Sequence, residues 1–278
     1  MTGVAARAKI GGMTESTTER ARRLIQEQYR DGSNLSARIR LHARFSTNRY
    51  GMFRWIFDRF EMPPGARVLE LGTGTAAMWR QNAARIPSGW RIVLSDLSAG
   101  MLREARDALA SSGRSFSAIQ LDAQAIAFGQ RSFDAVIANH MLYHVPDVPR
   151  ALTEIRRVLG PSGACYAATF SRDNMKELNE ITTRIFGAAM NRAANHFGLE
   201  NGYDMMRDCF PKVELIRFPD SLVVTESQPL VDYVKSTRMG QHSNPEQIAE
   251  FSRYVESEIA AHGAIHLTMD TGILIARV

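Results

Sequence analysis

Residues 67–76 read Arg-Val-Leu-Glu-Leu-Gly-Thr-Gly-Thr-Ala, and this stretch decides the fold. Its apolar start is typical of a parallel strand that is covered on both faces. Gly72 and Gly74 then permit a tight turn and let a ligand approach the backbone, since neither has a Cβ. Glu70 lies within the apolar strand end, where a carboxylate without a polar partner is costly. We therefore expect a nucleotide-like ligand beside this turn.

The composition indicates one large α/β domain with an appended piece. The chain has 278 residues, of which 45% are hydrophobic, enough for a sizeable core. No apolar run approaches the ~18 residues needed to cross a bilayer, and the N-terminus lacks the apolar segment of a secretory signal. The two cysteines, Cys165 and Cys209, are not spaced as a disulfide framework or a zinc site. We expect a cytoplasmic protein with no membrane contact.

Positive charge is concentrated in the first 60 residues. They hold 12 Lys and Arg against 5 Asp and Glu, a net charge of +7, whereas the whole chain carries +5. Two interpretations remain open, a solvated basic helical face or a surface for an anionic substrate or partner. The basic residues are not interleaved with aromatic residues and form no recognised module, so we expect no nucleic-acid partner.

Strands and helices alternate between residues 67 and 170. This alternation is typical of a parallel, doubly wound sheet with crossover helices. The pattern predicts five strands, at 67–71, 90–95, 115–121, 132–138 and 164–170. The helices between them are predicted at 77–84, 99–110 and 148–159.

The flanking segments are predicted to be mainly helical. Helical patterning covers 17–29, 35–45, 50–60, 174–197, 229–239 and 245–262. Short apolar strands are predicted at 213–218, 221–225 and 272–278. The predicted organisation is an N-terminal tail and helical lid (1–62), a ligand-binding core (63–171) and a remainder of the core sheet with helical substrate-site insertions (172–278).

Three carboxylates fall at informative places. Glu70 precedes the glycine turn, Asp96 ends the second strand and Asp122 ends the third. Because ligands of an open parallel sheet bind outside the carboxyl ends of its strands, all three converge on one crevice. That arrangement suits the ribose of NAD as well as that of S-adenosylmethionine. The negative charge of Glu70 is unfavourable beside a pyrophosphate and favourable beside a cationic amine. The position of Glu70 therefore favours S-adenosylmethionine over NAD.

Several motifs together carry a resemblance to a known family. They are ValLeuGluLeuGlyThrGlyThr (68–75), SerAspLeuSer and Met101 (95–101), LeuAspAlaGln (121–124), PheAspAlaValIleAlaAsnHisMetLeuTyrHisValProAsp (133–147) and GluIleArgArgValLeuGlyProSerGly (154–163). The chain resembles class I S-adenosylmethionine-dependent methyltransferases of the UbiE-like, methyltransferase domain 11 type, over about residues 66–171. The resemblance implies a Rossmann-like, doubly wound, mostly parallel seven-stranded sheet, with an N-terminal helical lid and C-terminal helical insertions. Ala76 stands where that family usually has glycine, and we expect its methyl group to be tolerated.

The resemblance also implies a binding site for S-adenosylmethionine. Glu70 is expected to hold the ammonium group of the methionine portion, and Asp96 the ribose diol. Asn139 is expected to flank the methionine portion. The other cofactor-binding residues implied are Gly72, Thr73, Gly74, Leu97, Met101, Asp122 and Ala123. Met101 could equally be an ordinary residue of a helix core.

Methyl transfer from a sulfonium needs alignment and exclusion of water, and a base only if the nucleophile arrives protonated. The candidate catalytic residues, just after the fourth strand, are His140, Tyr143 and His144. The spacing of the two histidines could suggest a metal, but no acid or cysteine at a helpful spacing supports one, and we expect none. The substrate space is predicted to be bordered by Tyr29, Arg38, His42, Tyr50, Phe170 and Asn174. The helix that carries Arg38 and His42 could instead simply pack on the sheet domain.

The expected function is methyl transfer from S-adenosylmethionine to a small-molecule, biosynthetic acceptor, by a monomer or homodimer. A first alternative is an enzyme of the same fold that cyclises S-adenosylmethionine to azetidine-2-carboxylate and releases methylthioadenosine. A second is a non-catalytic protein that binds the cofactor or a partner. An NAD enzyme is the last alternative. These hypotheses differ in their products, so activity distinguishes them.

Overall fold

A seven-stranded sheet forms the centre of the molecule. The computed structural model describes residues 33–190 and 193–278, with side chains from residue 37 onward. The strands are β1 Arg67–Leu71, β2 Arg91–Asp96, β3 Phe116–Gln120, β4 Phe133–Ile137, β5 Leu159–Phe170, β6 Lys212–Val224 and β7 Ile265–Arg277. Their order is β3-β2-β1-β4-β5-β7-β6, and only β7 runs antiparallel to its two neighbours. The predicted Rossmann-like, mostly parallel sheet is confirmed.

Helices cover both faces of this sheet. They are α1 Ser33–Phe45, α2 Met52–Phe57, α3 Ala77–Asn82, α4 Ala99–Leu109, α5 Val148–Val158, α6 Lys176–Phe186, α7 Ala194–Phe197, α8 Leu199–Cys209, α9 Ser227–Ser236, α10 Arg238–Gln241 and α11 Pro245–His262. One face is buried under α5 and α8, and the other under α2, α3 and α4. The predicted helix 17–29 lies outside the described residues. Two further single turns of 3₁₀ helix are Ala83–Arg85 and Leu142–His144.

The chain reverses its strand order between β1 and β4. From β1 it winds outward through β2 to β3 and then returns to place β4 on the other side of β1. In open sheets of this kind the crevice at such a switch point is where ligands bind. The fold therefore places the carboxyl ends of β1, β2 and β4 at the edge of one crevice.

The last two strands are longer than the sequence pattern predicted. The strands expected at 213–218 and 221–225 are one continuous strand, β6, which pairs with β7 along its whole length. Pro219 and Asp220 suggested a break, but Pro219 lies on an edge strand, where a missing N–H costs no ladder hydrogen bond. Likewise the strand predicted at 272–278 begins at Ile265. The two strands thus project as a long ribbon beyond the rest of the sheet.

A third apolar core lies on this ribbon. Buried side chains of α1, α6, α9 and α11 meet the projecting ends of β6 and β7 there. Leu41 and Phe45 of α1 belong to this cluster. The helix that could have packed on the sheet domain packs instead against α9 and β6. It thereby closes the space above the carboxyl ends of the parallel strands.

Two other predicted boundaries were wrong, and one helix was not predicted. The strand expected to begin at residue 164 begins at Leu159, which pairs with Phe133 of β4 before a bulge, and regular pairing resumes at Ala164. The helix predicted over 174–197 ends at Phe186, where Gly187 adopts a positive φ of 72°. Helix α8 was not predicted, although its buried residues recur at helical spacing.

Candidate functional site

One cavity of about 860 Å³ brings the predicted site residues together. It runs from the carboxyl ends of β1 and β2 to the inner side of α1 and α9. Its lining includes the predicted Arg38, His42, Tyr50, Glu70, Gly72, Thr73, Gly74, Asp96, Leu97, Met101, Asp122, Ala123, Asn139, His140, Tyr143, His144, Phe170 and Asn174. Tyr29 lies outside the described residues. The volume is at the upper end of the ~300–1,000 Å³ of small-molecule sites, so two ligands could lie side by side.

Glu70 is the most deeply buried carboxylate of the cavity wall, at 3% exposed. Its Oε2 accepts hydrogen bonds from Thr73 Oγ1 at 2.5 Å and from Trp79 Nε1 at 2.7 Å. Burial raises the pKa of Glu70 to about 7, although both hydrogen bonds act to lower it. A nearby cation would favour the ionised form. The carboxylate is therefore suited to bind a positively charged group.

The glycine turn is held by Asp96. The Gly74 amide donates to Asp96 Oδ2 at 2.9 Å, and the Ser98 amide donates to Asp96 Oδ1 at 2.9 Å. Burial raises the pKa of Asp96, against the backbone N–H groups that favour its ionised form. A carboxylate has about four acceptor sites, so Asp96 can still accept from a ligand hydroxyl. It thus shapes the turn and faces the cavity at once.

The backbone of the turn lies in the left-handed region at Gly72 (φ 64°), Gly74 (φ 54°) and Ala76 (φ 53°). A Cβ on Gly72 would come within 2.7 Å of the Cβ of Met141, so only glycine fits there. Ala76 is accommodated, buried at 1% exposed, but a non-glycine residue in this region costs about 1–2 kcal/mol.

The far end of the cavity is formed after β3. Asp122 Oδ1 accepts from the backbone amide of Gln124 at 2.9 Å and from its side-chain amide at 3.1 Å. Gln124 is buried and accepts in turn from the Asp147 amide at 3.1 Å. Met101, on α4, is 1% exposed and lines the same end. Ser98 caps α4 by accepting from the Met101 amide, which fixes that helix against the turn.

Asn139 lines the cavity just after the end of β4. Its Nδ2 donates to the sulfur of Met78 at 3.2 Å. Its Oδ1 is buried and has no hydrogen-bond partner among the described residues. Unsatisfied buried acceptors are rare in folded proteins and often mark a place where a ligand donates.

Aromatic rings form the middle of the cavity. Tyr143 lies 4.9 Å from Phe170 between ring centroids, and His140 lies 6.4 Å from Phe170 with nearly parallel planes. Burial lowers the pKa of His140 to about 4 and, with Arg38 and His196 nearby, that of His144 to about 3. Both imidazoles are therefore neutral at physiological pH.

Helix α1 supplies the outer wall. Arg38 donates from Nη2 to the carbonyl oxygen of Ser236 at 2.8 Å and from Nε to its Oγ at 3.2 Å, which ties α1 to α9. His42 lies one turn later, with its ring 6.2 Å from that of Tyr233 in an edge arrangement. The guanidinium thus holds the wall in place as well as lining the cavity.

Two predicted substrate residues already have structural partners. Tyr50 is 48% exposed at the rim, and its hydroxyl donates to Asp58 Oδ2 at 2.6 Å. Asn174 accepts at Oδ1 from the Asp270 amide at 3.1 Å. These bonds hold the rim and the start of α6 in place, and a substrate role for either residue stays a prediction.

Among the residues that the sequence did not predict, Gln124 and Tyr233 line the cavity, and Trp79 donates to Glu70 without lining it. Trp79 was not predicted because its bond to Glu70 spans a helix start. Gln124 was not predicted because its position is typical of a turn residue. Tyr233 is brought in only by the packing of α9 on α1, for which no local motif exists. A buried indole N–H usually has a partner, so Trp79 was the one with a usable signal.

Within residues 33–190 and 193–278, no three His, Cys, Asp or Glu side chains are grouped so that they could hold a metal ion. None of the helices in this part of the chain combines the length and apolar character needed to span a bilayer.

Comparison with known sequences points to one family. Residues 69–167 match the methyltransferase domain family. The 2-phytyl-1,4-naphtoquinone methyltransferase of Thermosynechococcus vestitus is 29% identical over 178 residues, 64% of this chain and 77% of that protein. The ubiquinone/menaquinone biosynthesis C-methyltransferase UbiE of Xanthomonas oryzae is 35% identical over 42% of this chain. The matched segment spans about half of UbiE, 47%.

Solved structures share the fold. A protein of Anabaena variabilis, described as a candidate methyltransferase from an antibiotic biosynthesis pathway, superposes with a TM-score of 0.61 at 13% identity, over 81% of this chain and 96% of that one. A phosphoethanolamine-type N-methyltransferase of Haemonchus contortus, in complex with S-adenosylhomocysteine, has a TM-score of 0.51 at 18% identity, over 81% and 52%. At these identities the likeness concerns the fold alone.

Proposed function

We infer that this protein, which belongs to the class I S-adenosylmethionine-dependent methyltransferases, transfers a methyl group from S-adenosylmethionine to a small-molecule acceptor. The observation that carries this proposal is the Glu70 carboxylate, which lines the cavity at 3% exposed and whose pKa is raised by burial to about 7. The methionine portion of the cofactor brings an ammonium group. Ionised Glu70 would gain the cation that its burial requires.

The described residues fit the rest of the cofactor. Asp96 has acceptor sites left for ribose hydroxyls, and the unpartnered Asn139 Oδ1 can accept from an N–H group. We assign the adenine end to Leu97, Met101, Asp122 and Ala123, which line the cavity beyond the turn. Gly72, Thr73 and Gly74 bring the backbone against the ligand. When bound, the cofactor supplies an electrophilic methyl group on a sulfonium.

The other half of the cavity would hold the acceptor. Its walls come from α1, from the turn after β4 and from α9, so the proposed lid (1–62) and the insertions (172–278) both contribute. Apolar and aromatic side chains there exclude water, which favours in-line transfer. His140, Tyr143 and Phe170 lie where the two halves meet, and Arg38 and His42 on the outer side.

A small-molecule acceptor is supported by two features. The cavity is lined by α1, α9 and the β6–β7 ribbon, and its volume of about 860 Å³ is within the ~300–1,000 Å³ of small-molecule sites. Of the relatives named above, one is named for a naphthoquinone and the other for ubiquinone and menaquinone biosynthesis. We propose an acceptor of that size made in a biosynthetic pathway.

Product analysis tests the proposal. Purified protein is incubated with S-adenosylmethionine, first alone and then with a pool of small hydroxylated and amino metabolites, and products are read by mass spectrometry. We expect S-adenosylhomocysteine only when an acceptor is present, and strongly reduced formation of it by Glu70→Gln when S-adenosylmethionine is limiting. The matched control Glu246→Gln, at an exposed position, should behave as wild type. Methylthioadenosine formed without an acceptor would replace the transferase proposal by the cyclase alternative.

A further inference from the structure

Charged side chains are unevenly distributed over the cavity wall. Among the described residues, four carboxylates and four guanidinium groups line the cavity. Three of the carboxylates lie at or just after the carboxyl ends of parallel strands, namely Glu70, Asp96 and Asp122. The four guanidinium groups come instead from the helical segments, namely Arg38, Arg49, Arg54 and Arg238. Apart from the strand ends, the cavity wall therefore carries mainly positive charge.

Asp220 of β6 is the fourth carboxylate of the wall, and neutral groups hold it in place. Its Oδ1 accepts from the hydroxyl of Ser46 at 2.7 Å, from the Asn48 amide at 3.1 Å and from the Ser221 amide at 2.8 Å. Within the part of the chain that the structure describes, no ion pair joins Asp220 to a lysine or arginine. This one carboxylate therefore does not offset the positive charge of the helical segments.

Arg238 lines the cavity without a partner of its own. It begins α10, and it is exposed to solvent on its outer side. Among the residues described from 37 to 190 and from 193 to 278, none accepts a hydrogen bond from its guanidinium or forms an ion pair with it. A guanidinium has five N–H donors in a fixed planar arrangement and no acceptor. The donors of Arg238 are therefore available to a ligand in the cavity.

Arg38 supplies a second positive charge at the same corner of the cavity. It donates from Nη2 to the carbonyl oxygen of Ser236 at 2.8 Å and from Nε to the hydroxyl of Ser236 at 3.2 Å. Ser236 is 4% exposed, and its hydroxyl donates in turn to the carbonyl oxygen of Tyr233 at 2.6 Å. Arg238 follows Ser236 by two residues, so both guanidinium groups line the cavity where α1 meets the junction of α9 and α10. The charge of Arg38 is thus fixed by a buried residue, next to the segment that carries Arg238.

We propose that the methyl acceptor carries an oxyanion, a carboxylate or a phosphate, and that Arg238 binds this group with the support of the positive charge of Arg38. The inference rests on the proposed methyltransferase function and names the class of acceptor. Guanidinium groups match the oxygens of carboxylates and phosphates, and such charge-assisted hydrogen bonds are about twice as strong as neutral ones. The oxyanion would therefore fix the position of the acceptor in the cavity.

The remainder of the acceptor would meet aromatic side chains. Tyr233 lines the cavity one turn of α9 before Ser236. Tyr143 and Phe170 line its middle, with their ring centroids 4.9 Å apart. Planar rings pack well against such side chains, both by their faces and by their edges. An aromatic ring that bears an oxyanion therefore fits both the charged corner and the apolar middle of the cavity.

The test compares ligands that share a ring system and differ in charge. Titration calorimetry at low ionic strength measures the binding of naphthoate, naphthyl phosphate and the neutral naphthamide to protein saturated with S-adenosylhomocysteine. We expect wild type to bind at least one of the two anions about tenfold more tightly than naphthamide, the usual effect of hydrogen bonds to a charged group. The anion that binds more tightly shows whether the oxyanion is a carboxylate or a phosphate. Added salt should weaken the binding of the anions and not that of naphthamide.

Two variants assign the effect to this corner of the cavity. Arg238→Gln removes an exposed charge, and we expect it to weaken anion binding by about three- to fivefold, the range of an exposed charge pair. Its affinities for naphthamide and for S-adenosylhomocysteine should equal those of wild type. Arg38→Lys keeps the positive charge but not both bonds to Ser236, and it should retain most of the preference for the anion. The control Arg253→Gln, exposed on α11 and outside the cavity, should match wild type, and urea midpoints verify that each variant is folded.

Each contrary result would overturn a different claim. Equal affinity of wild type for naphthamide and both anions, or no binding of either anion at millimolar concentration, would refute the oxyanion acceptor while leaving the cofactor site intact. An unchanged preference for the anion in Arg238→Gln would refute the assignment to this corner. Weaker binding of S-adenosylhomocysteine by Arg238→Gln would assign Arg238 to the carboxylate of the cofactor instead. A wild-type protein that binds no S-adenosylhomocysteine would refute the proposed function itself.

Discussion

The indole N–H of Trp79 donates to the buried carboxylate of Glu70 across 2.7 Å, linking α3 to the end of β1. Trp79 is fully buried, so this bond is shielded from water. It acts to lower the pKa of Glu70, which burial has raised to about 7. Together with Thr73, the tryptophan thereby favours the ionised carboxylate near neutral pH, which is the form that the proposed binding of an ammonium group requires.

Replacing Trp79 by phenylalanine should weaken cofactor binding in a pH-dependent way. Without the indole donor the pKa of Glu70 rises further above about 7, so less of it is ionised at neutral pH. We expect about tenfold weaker binding of S-adenosylhomocysteine at about pH 7, since a hydrogen bond to a charged group contributes about 1.5–3 kcal/mol. Part of this loss should be recovered at about pH 8.5, and calorimetric titration measures both. Trp90→Phe, whose indole donates to Pro63 away from the cavity, is the control, and an equal loss there would contradict the interpretation.

Glu70→Gln should make the ligand-free protein more stable above neutral pH. The unfolded carboxyl ionises above about pH 4.5, but the folded one only above about 7, so folding becomes less favourable as pH rises between these values. Removing the charge should therefore raise the free energy of unfolding by on the order of 2 kcal/mol at about pH 8, and not at about pH 4. Urea denaturation at the two pH values measures it. A variant that is less stable than wild type at both would show that burial does not disfavour the charge.

Gly72→Ala should lower the free energy of unfolding by more than the backbone strain of an alanine with a positive φ accounts for. Gly113 has a similar φ of 67° but open space around its Cβ position, whereas the Cβ at Gly72 would clash with Met141. We expect Gly113→Ala to lower the free energy of unfolding by about 1 kcal/mol and Gly72→Ala by distinctly more. Cofactor affinity should fall only in Gly72→Ala. Equal losses of stability in the two variants would mean that the close approach to Met141 is not a constraint.

His144→Asn should reduce the sensitivity of the fold to acid. Burial lowers the pKa of His144 to about 3 in the folded protein, whereas the unfolded chain binds this proton below about pH 6.5. Between these values His144 is neutral when folded and protonated when unfolded. The stability this neutral imidazole supports is present above pH 6.5 and is lost as pH falls towards 3. We compare the free energy of unfolding of the variant with that of wild type at each pH. This difference should favour the variant by on the order of 2 kcal/mol more at about pH 4.5 than at pH 7. His262→Asn, with 67% of its side chain exposed, should change neither value, and an unchanged acid slope in His144→Asn would be contrary to expectation.

The central sheet could be read from the sequence because its signals are local. The strand from Arg67 to Leu71 was predicted with both ends correct, since an apolar run meets a glycine turn there. Strands β2 to β4 were placed within one or two residues for the same reason. The continuity of β6 could not be predicted, because a proline interrupts a central strand but not an edge strand. The sequence does not show that Pro219 lies on an edge strand.

That Glu70, Asp96 and Asp122 line one cavity was also predictable, whereas the wall formed by α1 and α9 was predicted only in part. Glu70 and Asp96 lie at the carboxyl ends of strands and Asp122 just after one, so parallel pairing alone brings them together. Tyr233 and Asp220 depend on how α1 packs on α9 and β6, which involves residues almost 200 positions apart. Such contacts leave no periodic signal in a single sequence.

The most direct test of the cofactor site is a calorimetric comparison of two ligands that differ by the amino acid portion. S-adenosylhomocysteine carries the ammonium group proposed to meet Glu70, and methylthioadenosine lacks it. At about pH 8, Glu70→Gln should bind S-adenosylhomocysteine about 10- to 100-fold more weakly than wild type, the effect of a lost hydrogen bond to a charged group. It should bind methylthioadenosine with unchanged affinity. Equal affinity of both proteins for S-adenosylhomocysteine would contradict the assignment of Glu70 to the ammonium group.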